Sequence, residues 1–174
     1  MSLFKTRSNY FKGLAILNKQ IAHTKNGRKS FFRMNDQEEL AAACINWAHF
    51  PCLVHFGYRG KYTANPDEVN KRVLANNILV LAKSPSSTDM DAIEDTKDLA
   101  FEVLEQLISK MMDEAETEGY CAAFQNIDLS SFSFNEYGPV NSNLYGWELS
   151  FSDETFPDNI TYFDASKWDE TEEE

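Results

Sequence analysis

The stretch TDMDAIEDTKDLAFEVLEQLISKMMDEAETEG (Thr88–Gly119) decides how the rest of the chain is read. Apolar residues recur at Ile93, Ala100, Val103, Leu104, Leu107, Ile108, Met111, Met112 and Ala115, the three-and-four spacing of one helix face. Glu94, Asp95, Asp98, Glu102, Glu105, Asp113 and Glu114 point away from that stripe. Thr88 is placed to cap the start with its hydroxyl, Asp91 stands in the capping-box position, and Gly119 supplies the stop. The predicted helix has roughly 30 residues and a length of about 45 Å at 1.5 Å per residue. A helix of that length is built to lie across a whole sheet.

The flanking runs supply the strands. Cys52–Tyr62 reads as one strand, with Leu53, His55, Gly57, Arg59 and Lys61 on one face and Val54, Phe56, Tyr58 and Gly60 on the other. A loop, Thr63–Asp67, separates it from an aliphatic strand over Val73–Lys83. Beyond Gly119, Ala122–Phe134 and Leu144–Phe151 both alternate, and the Asn/Gly/Pro-rich link Asn135–Asn143 is too short for a parallel crossover, so they pair antiparallel. Upstream, Leu3–His23 has a loose helical pattern that ends before Lys25-Asn26-Gly27-Arg28. A second helix starts at Asn35 or Asp36 and reaches Trp47, where Pro51 bars continuation. The expected architecture is α+β: an antiparallel sheet of about four strands, a long helix packed across it, and additional N-terminal helices. Three regions follow: a basic helical arm (1–34), a core domain (35–156) and an acidic tail (157–174).

Composition narrows the class. Apolar residues make up 43% of the chain and aromatics 13%, which is globular rather than disordered. No run of eighteen apolar residues occurs, and the first residues lack a secretory h-region, so neither a membrane span nor export is expected. Cys44, Cys52 and Cys121 are an odd, sparse set that fits a reducing compartment. The net charge of −12 is unevenly placed: Lys5, Arg7, Lys12, Lys19, Lys25, Arg28, Lys29 and Arg33 precede the first acid, and the remainder carries about −20. Such asymmetry speaks to partners rather than to fold.

Chemistry-bearing motifs are few. Cys44, His49, Cys52 and His55 fall in a C-x4-H-x2-C-x2-H spacing that matches no common zinc pattern, and strand alternation sends Cys52 and His55 to opposite faces. A nucleophilic cysteine needs a base in reach, which sequence proximity to His49 or His55 does not supply. There is no nucleophile elbow, P-loop or dinucleotide fingerprint. No enzyme, metal or cofactor is expected. The basic, aromatic-interleaved N-terminal segment suits phosphate contacts and stacking, as in a nucleic-acid-binding regulator. An acidic body would repel a polyanion, however. It offers a different partner, because the basic residues of one copy can meet Glu94, Asp98, Glu102 and Glu105 of the next. That contact is heterologous and closes into a ring if the rotation allows.

The order helices, strand, strand, long helix, strand, strand, with its Asn/Gly-rich link and the aromatic closing strand Asn143-Leu-Tyr-Gly-Trp-Glu-Leu-Ser-Phe151, resembles the tail terminator and tail-completion proteins of tailed bacteriophages over about Pro51–Asp153. The resemblance implies a non-enzymatic virion subunit, made in the host cytoplasm. It would form a ring of six or more copies at the head–tail junction, against other neck, tail or portal-proximal proteins. DNA would pass through without specific binding. It also implies contacts with rings above and below through loop tips, for which Asn65, Asp67, Asn135, Tyr137, Asn141 and Asn143 are the candidates.

Overall fold

The computed structural model describes residues 3–34, 37–46, 48–65, 68–118, 124, 127–141 and 143–155. Its elements run α1 (Leu3–Leu17), β1 (Phe31–Arg33), α2 (Gln37–Asn46), β2 (Cys52–His55), β3 (Arg59–Asn65), β4 (Glu68–Lys83), α3 (Met90–Glu118), β5 (Ile127–Val140) and β6 (Leu144–Thr155). One sheet contains all six strands in the order β1-β2-β4-β6-β5, with β3 beside β4. The class is α+β, with α3 packed across the sheet.

Side-chain alternation divides the core into two layers. Leu53 of β2, Ile78, Val80 and Ala82 of β4, and Leu149 and Phe151 of β6 face α1 and α3, where they meet Phe11, Leu14, Ala100, Val103, Leu104, Leu107 and Met111. Cys52, Val54, Leu79 and Leu81 face the other way, onto Leu40 and Ala43 of α2. Of the helix stripe read from the sequence, Ile93, Ala100, Val103, Leu104, Leu107 and Met111 are buried, Ile108 and Ala115 are half-buried, and Met112 is exposed. α1 lies antiparallel to α3: Tyr10 donates to Glu114 (2.9 Å), Asn18 to Gln106 (3.2 Å) and Gln20 to Glu102 (3.4 Å). With Phe11 and Ala15 at 0% exposure, the arm is part of the domain's own core.

Several expectations need correction. Among the described residues there are six strands rather than about four, and β1 pairs parallel with β2, so the sheet is mixed. Cys52–Tyr62 is two strands, β2 and β3, broken at Phe56–Tyr58. β4 begins five residues before Val73, within a polar run that only cross-strand pairing to β3 and β6 organises. The helix cap is Asp89 rather than Thr88, since Asp89 Oδ1 accepts from the amides of Asp91 (3.2 Å) and Ala92 (3.4 Å). Most of the 135–143 link is strand: β5 continues to Val140 through a register shift between Tyr137 and Val140. Gly138 and Pro139 sit in that irregularity on an edge strand, where a missing amide breaks no ladder. The expected caps Asn35 and Asp36, Trp47, Gly119 and the 157–174 tail lie outside the described residues.

Candidate functional site

The charged residues singled out by sequence do not all serve one surface. Arg7 is 1% exposed; its position with Phe11 and Leu14 on the buried face of α1 carries it inward. There it forms an ion pair and hydrogen bond with Asp153 of β6, while Asn76 of β4 donates to the second carboxylate oxygen at 3.0 Å. The guanidinium also stands 5.1 Å from the Phe124 ring and 6.0 Å from Tyr58. Burial lowers the Arg7 pKa and raises that of Asp153, while each charge pulls the other back. Arg28 donates to the carbonyls of Gln20 (3.2 Å) and Phe50 (2.5 Å). Arg7 and Arg28 therefore hold the fold and leave the expected contact set. Lys5, Lys19, Lys25, Lys29 and Arg33 are exposed, and Lys12 is half-buried.

The acids of α3 sort by helix geometry. Glu94, Asp98, Phe101 and Glu105 follow one stripe at steps of three and four residues. Phe101 faces Phe134 of β5 (5.4 Å) and Trp147 of β6 (4.9 Å), so this stripe leans toward the β5 edge. Glu102 lies instead on the α1 side, beside Gln20. Lys97 is neutralised in place, 2.6 Å from Glu136, and Lys110 pairs with Asp113 and Glu114. α1 sits over β1 and β2 while α3 sits over β4 and β6. Lys5, Lys12 and Arg33 thus lie at the α1–β1 flank, and Glu94, Asp98 and Glu105 on the side of α3 toward β5. The five-strand order sets the outer strands about 19 Å apart at 4.8 Å per strand. Phe134 (51%) and Leu129 (41%) add exposed apolar surface to the acidic flank.

The loop-tip candidates fare differently. Asn65 belongs to β3 and pairs with Glu68, while Asn135 and Tyr137 belong to β5, Tyr137 packing on the α2 layer. Asn141 adopts a left-handed φ of 48° and donates to the Ala41 carbonyl at 2.9 Å. Asn143 donates to the Ser84 carbonyl at 3.3 Å and accepts the Ser84 amide on its own carbonyl at 2.8 Å. Asn141 and Asn143 thus fasten the β5–β6 turn to its own domain. Asp67 lies outside the described residues.

The Cys/His group is dispersed. Cys52 lies in the α2 layer, His55 stacks near Phe11 (4.7 Å) in the α1 layer, and His49 Nδ1 accepts the Lys29 amide at 3.2 Å. Burial pushes the Cys44 thiol up to about 11 and Cys52 higher than its usual value, which disfavours thiolate at both. Among the described residues no three His, Cys, Asp or Glu side chains gather as a metal site.

Sequence reading missed a cleft of about 650 Å³ between the start of α1 and the β1–β2 end of the sheet, lined by Phe4, Arg33, Met34, His55, Phe56 and Tyr58. His55 is 2% exposed and its Nε2 has no partner among the described residues. Burial, then Arg33 and Arg7, lower its pKa to about 4, so the imidazole is neutral at pH 7. The signal that was available is the spacing Phe4, Arg7, Phe11, Leu14, which sets a cation on an apolar face. No protein-family model matches the chain, and a search of the curated proteins returns no significant match.

Proposed function

We propose that this protein is a non-enzymatic structural subunit that assembles head to tail into a ring, as a tail terminator-like component of a phage neck or tail. The observation that carries the reading is the placement of opposite charge on opposite flanks of one sheet. Lys5, Lys12 and Arg33 surround the α1–β1 flank, and Glu94, Asp98 and Glu105 line the side of α3 nearest β5. Surfaces so arranged attract across a heterologous contact and repel across a symmetric one, which favours rings over two-fold dimers. Exposed Phe134 and Leu129 give the acidic flank apolar area to bury. The chemical alternatives are weaker, because burial favours the thiol at Cys44 and Cys52 and the Cys/His group is spread over both sheet faces. A nucleic-acid reading of residues 1–33 loses Arg7 and Arg28, both engaged inside the fold.

The test is the particle mass of the full-length chain by sedimentation velocity at low and high salt. The reading predicts a closed oligomer of six or more copies that weakens as salt screens the flanks. A monomer at every concentration and salt level, with its neck or tail partners present, contradicts it.

A further inference from the structure

The cleft at the α1–β1 flank has features that a contact between charged flanks does not use. Its volume of about 650 Å³ lies in the range of small-molecule pockets, roughly 300–1,000 Å³. One wall is aromatic and held in place. Phe4 and Tyr58 lie 4.6 Å apart, and the Tyr58 hydroxyl donates to the Phe4 carbonyl at 3.0 Å. The His55 ring meets Tyr58 edge to face at 5.0 Å and continues that wall inward. Phe4 is 46% exposed, apolar area that a flat ring in the cleft would cover.

The charge of the cleft has one sign. Among the described residues no carboxylate lines it, or the adjoining cleft of about 380 Å³ that shares Arg33 and Met34 and adds Lys12. Arg33 is exposed and forms no ion pair among the described residues. Its charge acts on both His55 and Tyr58, so it is felt within the cleft. Arg7, the other cation acting on them, is already balanced by Asp153. His55 is 2% exposed, and its Nε2 has no partner among the described residues. Such a nitrogen gains from any ligand that offers it a hydrogen bond. A molecule complementary to these walls joins a flat apolar ring to an anionic acceptor.

We propose that the cleft binds a small aromatic carboxylate, its ring against Phe4 and Tyr58 and its carboxylate on Arg33, with His55 Nε2 as a second donor. A carboxylate suits the planar fork of Arg33, which presents two parallel N–H groups. A neutral imidazole protonated at Nε2 donates to the same anion, which gives the buried nitrogen its acceptor. Met34 and Phe56 add apolar surface beside the ring. The proposal goes beyond the ring reading and does not depend on it, since one folded chain carries the whole site.

The test is equilibrium dialysis of naphthoate against the full-length chain, with particle mass measured on the same samples. The proposal predicts saturable binding at one site per chain, with a Kd on the order of 0.1 mM. Naphthalenemethanol, which keeps the rings and loses the charge, binds at least about tenfold more weakly. Arg33→Gln and Phe4→Ala, both at exposed positions, each lower naphthoate affinity about tenfold. Phe4→Ala also weakens the alcohol, whereas Arg33→Gln leaves the alcohol unchanged. Absence of saturable binding up to millimolar naphthoate overturns the proposal. Equal binding of the alcohol, or unchanged naphthoate affinity in either variant, overturns it as well. Tighter binding of AMP assigns the cleft to a phosphate and overturns the carboxylate. Closed oligomers that bind no naphthoate overturn this proposal alone, and monomers that bind it uphold the proposal and count against the ring reading.

Discussion

The two helices on one face of the sheet bury different kinds of surface. α3 presents Ala100, Val103, Leu104, Leu107 and Met111 to the strands and keeps its acids outside. α1 presents Phe11, Leu14 and Ala15, and with them Arg7, whose charge is met by Asp153 two strands away from β2. At the α3 end, the face turned to the sheet is apolar, and polar ties such as Trp147 Nε1 to the Lys97 carbonyl (3.1 Å) lie at its margins. At the α1 end, an ion pair ties the arm to the end of β6 at one register. Such a pair adds little net stability over an apolar replacement, but it is costly to break from one side. The difference shows how a basic segment can belong to the fold and still leave cations outside for a partner.

The comparison breaks most visibly at Arg7. Arg7→Ala leaves Asp153 buried without its partner and costs about 3–5 kcal/mol in urea unfolding. The double variant Arg7→Met with Asp153→Leu recovers most of that loss. If the single and double variants are equally unstable, the pair is not what fixes α1. At the α3 end, Leu104→Ala opens a cavity in an apolar layer and costs about 2–5 kcal/mol, with no single second substitution to restore it.

His55 sharpens the contrast through pH. An unfolded histidine takes up its proton near 6.5, the folded one only near 4. Between those values the unfolded state binds more protons, so stability rises with pH. The contribution is complete above pH 6.5 and is lost as pH falls toward 4, about 3 kcal/mol in all. Unfolding of His55→Phe, followed across pH 4–7, should have a flatter profile than the natural chain. An identical slope places the titration elsewhere. The smallest effect is at the α3 cap, where Asp89→Ala costs about 1 kcal/mol in thermal unfolding and Thr88→Ala much less.

Legibility in the sequence followed the strength of periodicity. α3 was plain because its apolar spacing persists over the whole helix, and β6 because Tyr145, Trp147, Leu149 and Phe151 alternate without interruption. β3 and the start of β4 were not, since RGKYTAN and EVNKR carry no alternation and owe their form to cross-strand pairing. The β5 extension was hidden behind Gly138 and Pro139, which usually end a strand but are tolerated at an edge irregularity. Within the candidate site, exposed lysines and α3 acids could be named from charge. Arg28 could not be separated from them, because sign says nothing about burial, and Arg7 only by its helical spacing with Phe11 and Leu14. The cleft joins residues from α1, β1 and β2 with Phe56–Tyr58, a juxtaposition no local pattern records.

The most direct measurement is a charge-swap complementation of the flanks, read as particle mass. One variant carries Lys5→Glu, Lys12→Glu and Arg33→Glu; the other carries Glu94→Lys, Asp98→Lys and Glu105→Lys. Opposed flanks predict that each variant alone stays small and that mixing the two restores closed oligomers of alternating copies. Assembly of both variants alone, at the same mass as the natural chain, would contradict the account.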